Sequence, residues 1–405
     1  MRKTTKSILV CLLLGSTLAS PAVAASVIDA PRHFSHLRGA LAAHFAEKYS
    51  VPVRTRIRKS ATKPAIHKPS RLHPGYTIID VPDADPVLYG TRLFSINESG
   101  VVSGQYMDSD GLLHAFLCTP DGDVTPITVN GSFTFGGYVN DKGWTSGSYI
   151  EDDTGLEAAW IRRPNGKIEI YQAPNAMGGT STEVLNNKGV QEGEYWDDNG
   201  ASHGYIRARD GSFTEFDAPD AGNDVDQGTL ALGINENGDV TGSAVDSTYV
   251  MHGYIRSADG SFTAFDVPGA GSGENQGTLA IEIDDKGVVT GGYVDANDVS
   301  HAFIRDPDGN VTTFDALDAG TGPGQGTGGE HREGGWTIGE YSDSIDVFHG
   351  YYRKANGKIV EFDPPGSGSS AFLGAFAVWS SNRDHLIAGS FKDDDGIRHG
   401  FIRNP

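Results

Sequence analysis

Between Tyr76 and Pro405 apolar and polar residues alternate in short runs, many of them closed by a Gly next to Asn or Asp. A period of two marks strands with one buried face. The runs recur in a fixed order. First come two β-prone runs joined by a turn, as in Ile234-Asn235-Glu236-Asn237-Gly238-Asp239-Val240-Thr241-Gly242. A His-(Ala/Gly)-aromatic word follows, as in His252-Gly253-Tyr254-Ile255-Arg256, then Asp259-Gly260 and a last run from Phe262 to Phe265. Each unit therefore predicts four antiparallel strands, here named A to D in chain order.

The word occurs seven times, beginning at His114, Ala158, His203, His252, His301, His349 and His399. Subtracting successive positions gives steps of 44, 45, 49, 49, 48 and 50 residues, the size of a propeller blade. The seventh unit stops after strand C at Asn404-Pro405, while Tyr76-Thr77-Ile78-Ile79-Asp80-Val81-Pro82 matches strand D of the other units. The expected fold is all-β: a seven-bladed β-propeller of four-stranded blades over 75–405, its ring closed by Tyr76 to Pro82 completing the last blade. Closure of this kind removes exposed sheet edges.

The dipeptides Asp121-Gly122, Asn165-Gly166, Asp210-Gly211, Asp259-Gly260, Asp308-Gly309 and Asn356-Gly357 suit two-residue type I′ hairpins. That turn would pair Phe116 with Ile127, Trp160 with Tyr171, Tyr205 with Phe216, Tyr254 with Phe265, Phe303 with Phe314, Tyr351 with Phe362, and Ile79 with Phe401. An aromatic would then meet an aromatic or a branched aliphatic across every C–D hairpin.

The repeated His-Ala-Phe word, preceded by Asn-x-x-Gly-x-Val-x-Gly, resembles the bacterial extracellular repeat family named HAF after that tripeptide. Asn97 to Gly104 with His114 to Phe116, and Asn235 to Gly242 with His252 to Tyr254, carry the likeness, which covers 75–405. The second unit departs, with Ala158 for His, and the sixth lacks a clean Asn-x-x-Gly. The resemblance implies a secreted, propeller-like repeat protein and no particular activity.

Residues 1–24 read as a secretory signal: Arg2, Lys3 and Lys6, apolar Ile8 to Leu14, then Ala22-Val23-Ala24. The expected location is secreted, extracellular or periplasmic. The apolar run is too short for a membrane span and no other stretch approaches one; the chain is expected to be a monomer. Cys118 is the only cysteine beyond the signal, so no disulfide forms within the mature chain.

Charge then divides the molecule. Residues 1–74 carry 13 Lys+Arg and two acids, which leaves 32 − 13 = 19 Lys+Arg and 53 − 2 = 51 Asp+Glu in 75–405, a net of −32. Residues 25–74 form a basic arm: a short amphipathic helix between Pro31 and Tyr49 with Phe34, Leu37, Leu41 and Phe45 at helical spacing, then a linker without hydrophobic pattern, the whole largely disordered. An acidic propeller disfavours nucleic acid and suits cations or cationic surfaces.

Six repeated histidines (His114, His203, His252, His301, His349 and His399) lie too far apart around a ring to share a metal, so each is expected to bond an acceptor inside its own blade. Arg162, Arg207, Arg256, Arg305, Arg353 and Arg403 are expected to staple blade to blade. The B–C loops are rich in Asp, and Asp108, Asp110, Asp197, Asp393 and Asp395 are candidate calcium ligands, although the same residues suit tight turns. Thr91, Thr180, Thr229, Thr278 and Thr327, with Gln227, Gln276 and Gln325, open strand A on the face shared with those loops and form the expected ligand site for a glycan or peptide. The densest break in the repeat, Glu330-His331-Arg332-Glu333 with Arg383-Asp384-His385, is expected as an exposed charged turn on the opposite face. The expected function is a secreted, non-enzymatic binding protein presenting an acidic loop face to a glycan, peptide or cationic envelope component. The alternative is a propeller hydrolase or lyase acting at the channel mouth.

Overall fold

The computed structural model describes residues 72–73, 75–86, 89–130, 133–329 and 331–405; the expected signal and nearly all of the basic arm lie outside the described residues. Among the described residues every regular element is a strand. Unit four shows the plan: A is Gly228–Ile234, B is Val240–Val245, C is Met251–Arg256 and D is Phe262–Phe265. Strand B is buried throughout, C is buried except at every third position, and D is the half-exposed edge. The A–B turn forms because the Asn235 side-chain oxygen accepts the N–H groups of Asn237 and Asp239, both at 2.9 Å, and Gly238 takes φ 92°.

The C–D turn differs from expectation. Ser257 donates its N–H to the Ser261 carbonyl and Gly260 donates back to Ser257, each at 2.8 Å, which encloses three residues instead of two. Gly260 has φ 92° while Asp259 does not enter the left-handed region. A type I turn followed by a left-handed glycine needs only one such residue, whereas type I′ needs two. The register therefore slips by one: Tyr254 faces Ala264 and Gly253 faces Phe265, Phe116 faces Pro126, Trp160 faces Ile170, Tyr205 faces Glu215, Phe303 faces Thr313, and Tyr351 faces Glu361. The slip explains the small middle residue of the word. Phe265 lies over Gly253, where an added Cβ would stand 2.8 Å from the phenyl ring.

The aromatic pairs thus form between units. Phe216 of unit three meets Tyr254 of unit four edge-on at 6.3 Å, and Phe265 meets Phe303, Phe314 meets Tyr351, and Phe362 meets Phe401 in the same way. Five of the six arginines lie over a ring of the preceding unit: Arg207 over Tyr171 at 4.4 Å, Arg256 over Phe216 at 5.0 Å, Arg305 over Phe265 at 4.9 Å, Arg353 over Phe314 at 4.8 Å and Arg403 over Phe362 at 5.0 Å. The second glycine of Asn-x-x-Gly-x-Val-x-Gly has a matching role. Gly242 faces Tyr254, whose hydroxyl passes over it to the Leu230 carbonyl at 3.0 Å.

The core consequently lies between sheets. One cluster joins units six and seven through Ile338, Tyr352, Phe362, Phe391 and Phe401, with Ile78 added from the N-terminal strand. Another joins unit seven to unit one through Ala388, Leu93, Val102 and Phe116, with Ile79 added from the same strand. Tyr76–Ile79 pairs antiparallel with strand C of unit seven, Arg398–Arg403, and places Ile78 opposite Phe401 and Ile79 opposite Gly400, one residue from the expected register although no turn joins these two strands. Unit one also accepts and donates hydrogen bonds with unit seven: Leu93 N–H to Ser390 Oγ at 3.0 Å, and Asn382 Nδ2 to the Asn97 carbonyl at 3.2 Å.

Unit six breaks the pattern. Its strand A is split into Gly326–Thr327 and Arg332–Glu333, while Gly328 N–H still donates to the Glu340 carbonyl and Ile338 N–H to the His331 carbonyl, each at 2.9 Å.

Candidate functional site

The A–B turns do more than reverse the chain. The first residue of each turn uses its side-chain oxygen for its own turn and its amide nitrogen for the next unit: Asn97 to the Asn140 carbonyl at 3.0 Å, Asn140 to Asn186 at 2.9 Å, Asn186 to Asn235 at 3.1 Å, and Asn235 to Asp284 at 3.1 Å. Asp284 has no amide to donate, and there the next unit supplies the cation instead, with Arg332 Nε 3.5 Å from the Asp284 carboxylate. His331 Nε2 then donates to the Ser381 carbonyl at 3.0 Å, and Asn382 returns the series to Asn97. The loss of Asn-x-x-Gly in unit six and the Asp in unit five are two halves of one substitution.

The second turn residue makes a parallel series. The backbone N–H of Glu98 donates to the Asp141 carboxylate at 2.9 Å, that of Asp141 to Asn187 at 2.8 Å, that of Asn187 to Glu236 at 2.6 Å, that of Glu236 to Asp285 at 2.8 Å, and that of Arg383 to Glu98 at 3.1 Å. Asp141 is held through both oxygens, since Asn187 Nδ2 also donates to its Oδ2 at 2.8 Å, while the carboxylates of Glu98, Glu236 and Asp285 each accept a neighbour's N–H through one oxygen.

These turns and the ends of the A strands enclose a cavity of about 240 Å3 lined by residues of all seven units. Its carboxylates are Glu98, Asp141, Glu183, Glu236, Glu282, Asp284, Asp285 and Glu333; its guanidiniums are Arg332 and Arg383. Arg383 lies 3.4 Å from Glu333 and 3.8 Å from Glu98. His331 lies with Nδ1 2.6 Å from Glu282. Burial pulls its imidazole down, but the Glu282 carboxylate outweighs burial and holds its pKa above the ordinary value, so both ring nitrogens act as donors. Ser381 also lines the cavity; it is 5% exposed and its hydroxyl has no hydrogen-bond partner.

The residues singled out from the sequence lie elsewhere. The hydroxyls of Thr91, Thr180, Thr229, Thr278 and Thr327 are buried and accept backbone N–H groups of Val81, Ala173, Ala218, Val267 and Ala316 at 2.9–3.0 Å, fixing the chain between units. Gln276 accepts from Gly273 and donates to Asp298, and Gln325 accepts from Gly322 and donates to Asp346, all at 2.9–3.0 Å; Gln227 braces Asp224 and Ser247 in the same way. These side chains brace their own loops and are not brought together.

Asp108, Asp197 and Asp393 each accept two turn N–H groups, and their second oxygens face His114, His203 and His399 at 2.8, 3.7 and 3.3 Å. Asp110 and Asp395 are exposed on the same turns. Each histidine bonds inside its own sheet, as expected: Nδ1 meets Thr128 in unit one, and Asp217, Asp266, Asp315, Asp363 and Asp80 in units three to seven, at 2.6–3.0 Å. Unit two lacks both partners, with Ala158 and Gln172 at those positions. Among the described residues no three acidic, His or Cys side chains converge on a metal position.

The break in unit six is also placed differently from expectation. It lies on the A–B face as expected, but His331 is held at the cavity wall by Glu282 and Arg332 by Asp284. Glu330 lies outside the described residues. Nearby, His385 stacks on Trp336 at 3.9 Å and Trp336 on Tyr352 at 4.5 Å. The cavity's carboxylates are not among the shared letters of the repeat. A signal exists in the position after each turn Asn or Asp, where Glu98, Asp141, Glu236 and Asp285 recur.

No family model and no curated protein matches the chain. Solved structures do. A catalytically inactive virginiamycin B lyase from Staphylococcus aureus with quinupristin is similar at a TM-score of 0.53 and 11% identity, over 82% of this chain and 99% of that one. The β-propeller domain of the Trilobed protease from Pyrococcus furiosus, which has an open velcro topology, matches at 0.51 and 11%, over 77% and 95%. The BP39L lectin from Burkholderia pseudomallei matches at 0.50 and 12%, over 76% and 93%. At such identities the likeness shows the fold alone: this chain is a β-propeller.

Proposed function

We propose that this chain is a secreted, seven-bladed β-propeller of the HAF-repeat kind, closed by Tyr76 to Pro82, and that it binds the cationic part of an extracellular partner in the acidic mouth formed by its A–B turns. Support for closure comes from the pairing of Ile78 with Phe401 and from the bonds of unit one to unit seven. Secretion rests on the sequence of residues 1–24.

One observation carries the binding reading: the mouth holds eight carboxylates against the guanidiniums of Arg332 and Arg383 and the imidazole of His331, and neighbouring backbone N–H groups fix Glu98, Asp141, Glu236 and Asp285 in place. Prepositioned charge lowers the ordering cost of binding. The volume, below the roughly 300–1,000 Å3 of pockets for drug-sized ligands, suits an ammonium or guanidinium head group and not a whole glycan. The hydrolase or lyase alternative is less well supported, since both nitrogens of His331 are engaged by Glu282 and Ser381 and leave none to meet a substrate.

Calorimetric titration of the full chain with spermidine at low ionic strength tests this reading. Binding is expected to fall steeply in the combined variant Glu98→Gln, Asp141→Asn, Glu236→Gln, Asp285→Asn and to persist in Thr229→Val; equal binding in the combined variant would sink it. Calcium titrated in the same way examines the loops of Asp108, Asp110, Asp197, Asp393 and Asp395.

A further inference from the structure

We infer that the A–B face carries a second site, at the rim of units two and three, which binds the carboxylates of an acidic polysaccharide through Lys142, Arg163, Lys167 and Arg209. The site is separate from the acidic mouth and does not depend on what the mouth takes.

Its centre is Trp144, the residue before strand B of unit two, Thr145–Ile150. The Arg163 guanidinium lies 5.2 Å and the Arg209 guanidinium 5.4 Å from the centre of its ring, close enough for the π-face to attract both. Arg163 comes from the C–D turn of the same unit and Arg209 from that of the next. One indole thus gathers cations from two units.

The repeat shows that this arrangement is local. At the position of Arg209 the other C–D turns hold Pro120, Pro164, Ala258, Pro307 and Ala355. The position of Trp144 is filled by Trp again only in unit six, where Trp336 precedes Thr337 and Thr337 faces Arg353 as Thr145 faces Arg162. There His385 of unit seven stacks on the ring at 3.9 Å. The residue of unit three that matches His385 is Gly189, and Arg209 lies over it: an added Cβ would stand 3.5 Å from the Arg209 Cγ. A guanidinium takes the place of a closing ring.

The neighbouring acids are engaged elsewhere. Glu169 meets Arg163 Nη2 at 3.5 Å but is shared with Arg207. Asp210 turns back to accept the Ser212 N–H and hydroxyl at 3.0 and 2.7 Å, and both oxygens of Asp141 are taken by Glu98 and Asn187. Among the described residues the side chains of Lys142, Lys167 and Arg209 have no hydrogen bond or ion pair, and all three residues are exposed. In a region where acids outnumber Lys+Arg 51 to 19, this is a local reversal of sign. Arg209 is held by a ring and not by an acid, so its paired donors stay open to a carboxylate, and holding them in advance lowers the ordering cost of binding.

The four cations come from three turns, a spread that suits a polymer and exceeds the reach of one small anion. Nucleic acid, with about one charge per 1.7 Å of duplex, meets the repulsion of the acidic body. A glycan with carboxylates set apart along its chain brings few charges within the roughly 8 Å over which they act at physiological salt.

Calorimetric titration of the full chain with tetragalacturonate, its methyl ester and inorganic phosphate decides it. Tetragalacturonate is expected to bind, and the other two about tenfold more weakly or worse. Replacing Lys142, Arg163, Lys167 and Arg209 together by Gln is expected to weaken tetragalacturonate about tenfold or more at an unaltered melting temperature. Arg209→Gln, an exposed change that leaves the core intact, should weaken it about threefold, and Trp144→Leu should do the same with every charge in place. Unchanged affinity in the four-residue variant would assign the binding to another basic segment and overturn the site, as would equal affinity for the ester. A phosphodiester oligomer of equal charge that binds more tightly than tetragalacturonate would overturn the polysaccharide assignment.

Discussion

The two faces of this propeller spend similar side chains differently. On the B–C face the acids, histidines and glutamines bond within their own unit: His301 Nδ1 holds Asp315 at 2.9 Å and Gln276 holds Asp298 at 2.9 Å. On the A–B face the equivalent turn residues bond to the next unit, and the carboxylates that accept those backbone N–H groups line one cavity. Local bonding makes a rigid but chemically occupied surface. Bonding to neighbours assembles one concave site from small contributions of many units.

The largest disturbance should act on both faces at once. Gly242→Ala would place a Cβ 1.8 Å from the Leu230 carbonyl and 2.8 Å from the Tyr254 hydroxyl. The expected loss is about 3 kcal/mol or more, read as a melting temperature lowered by about 5–10 °C; an unchanged melt would refute the ring-over-glycine packing. Thr278→Val is next. It removes the buried acceptor of the Val267 N–H and should cost about 1–3 kcal/mol while leaving spermidine affinity unaltered, which separates scaffold from site.

A pH series sharpens the contrast further. The bond from Asp217 raises the pKa of His203 against the effect of burial, the corresponding bonds from Asp315 and Asp363 raise His301 and His349, and at His399 burial opposes but Asp80 prevails. Folded values above the unfolded value of about 6.5 mean that this stabilisation is complete below about pH 6.5 and is lost as pH rises through the folded values. Asp197, Asp246 and Asp295 run the other way: burial pushes them up, turn N–H groups outweigh it, and their contribution is lost as pH falls below the ordinary carboxylate range. The melting temperature should therefore decline from pH 6 to pH 8.5, and the combined variant His301→Ala, His349→Ala should show a shallower decline; a flat wild-type profile would argue against the clamps. The smallest effect on stability belongs to Glu236→Gln, within about 0.5 kcal/mol, although spermidine binding should weaken measurably.

Much of the scaffold was legible because it repeats. The His clamps, the Arg staples and the strand supplied by Tyr76 to Ile79 all follow from letters recurring at a fixed spacing. The hairpin register was not legible. Asp259-Gly260 is compatible with both two-residue and three-residue turns, and the choice appears only in the bonds between Ser257, Gly260 and Ser261. That one-residue slip moved Phe265 from its own hairpin partner to the neighbouring unit's Phe303. The engagement of the Thr and Gln at the start of strand A was not legible for a related reason: they look available in sequence, but they bond to loops that only folding brings near.

By itself the sequence determined the strands, the unit length and the roles of residues whose partners lie within the same unit, since alternation and turn chemistry act over a few residues. Only the tertiary structure decided which turn residues converge. Glu98 and Asp285 are separated by four units of chain, and it is the curvature from unit to unit, set by side-chain packing between sheets, that directs them at one cavity.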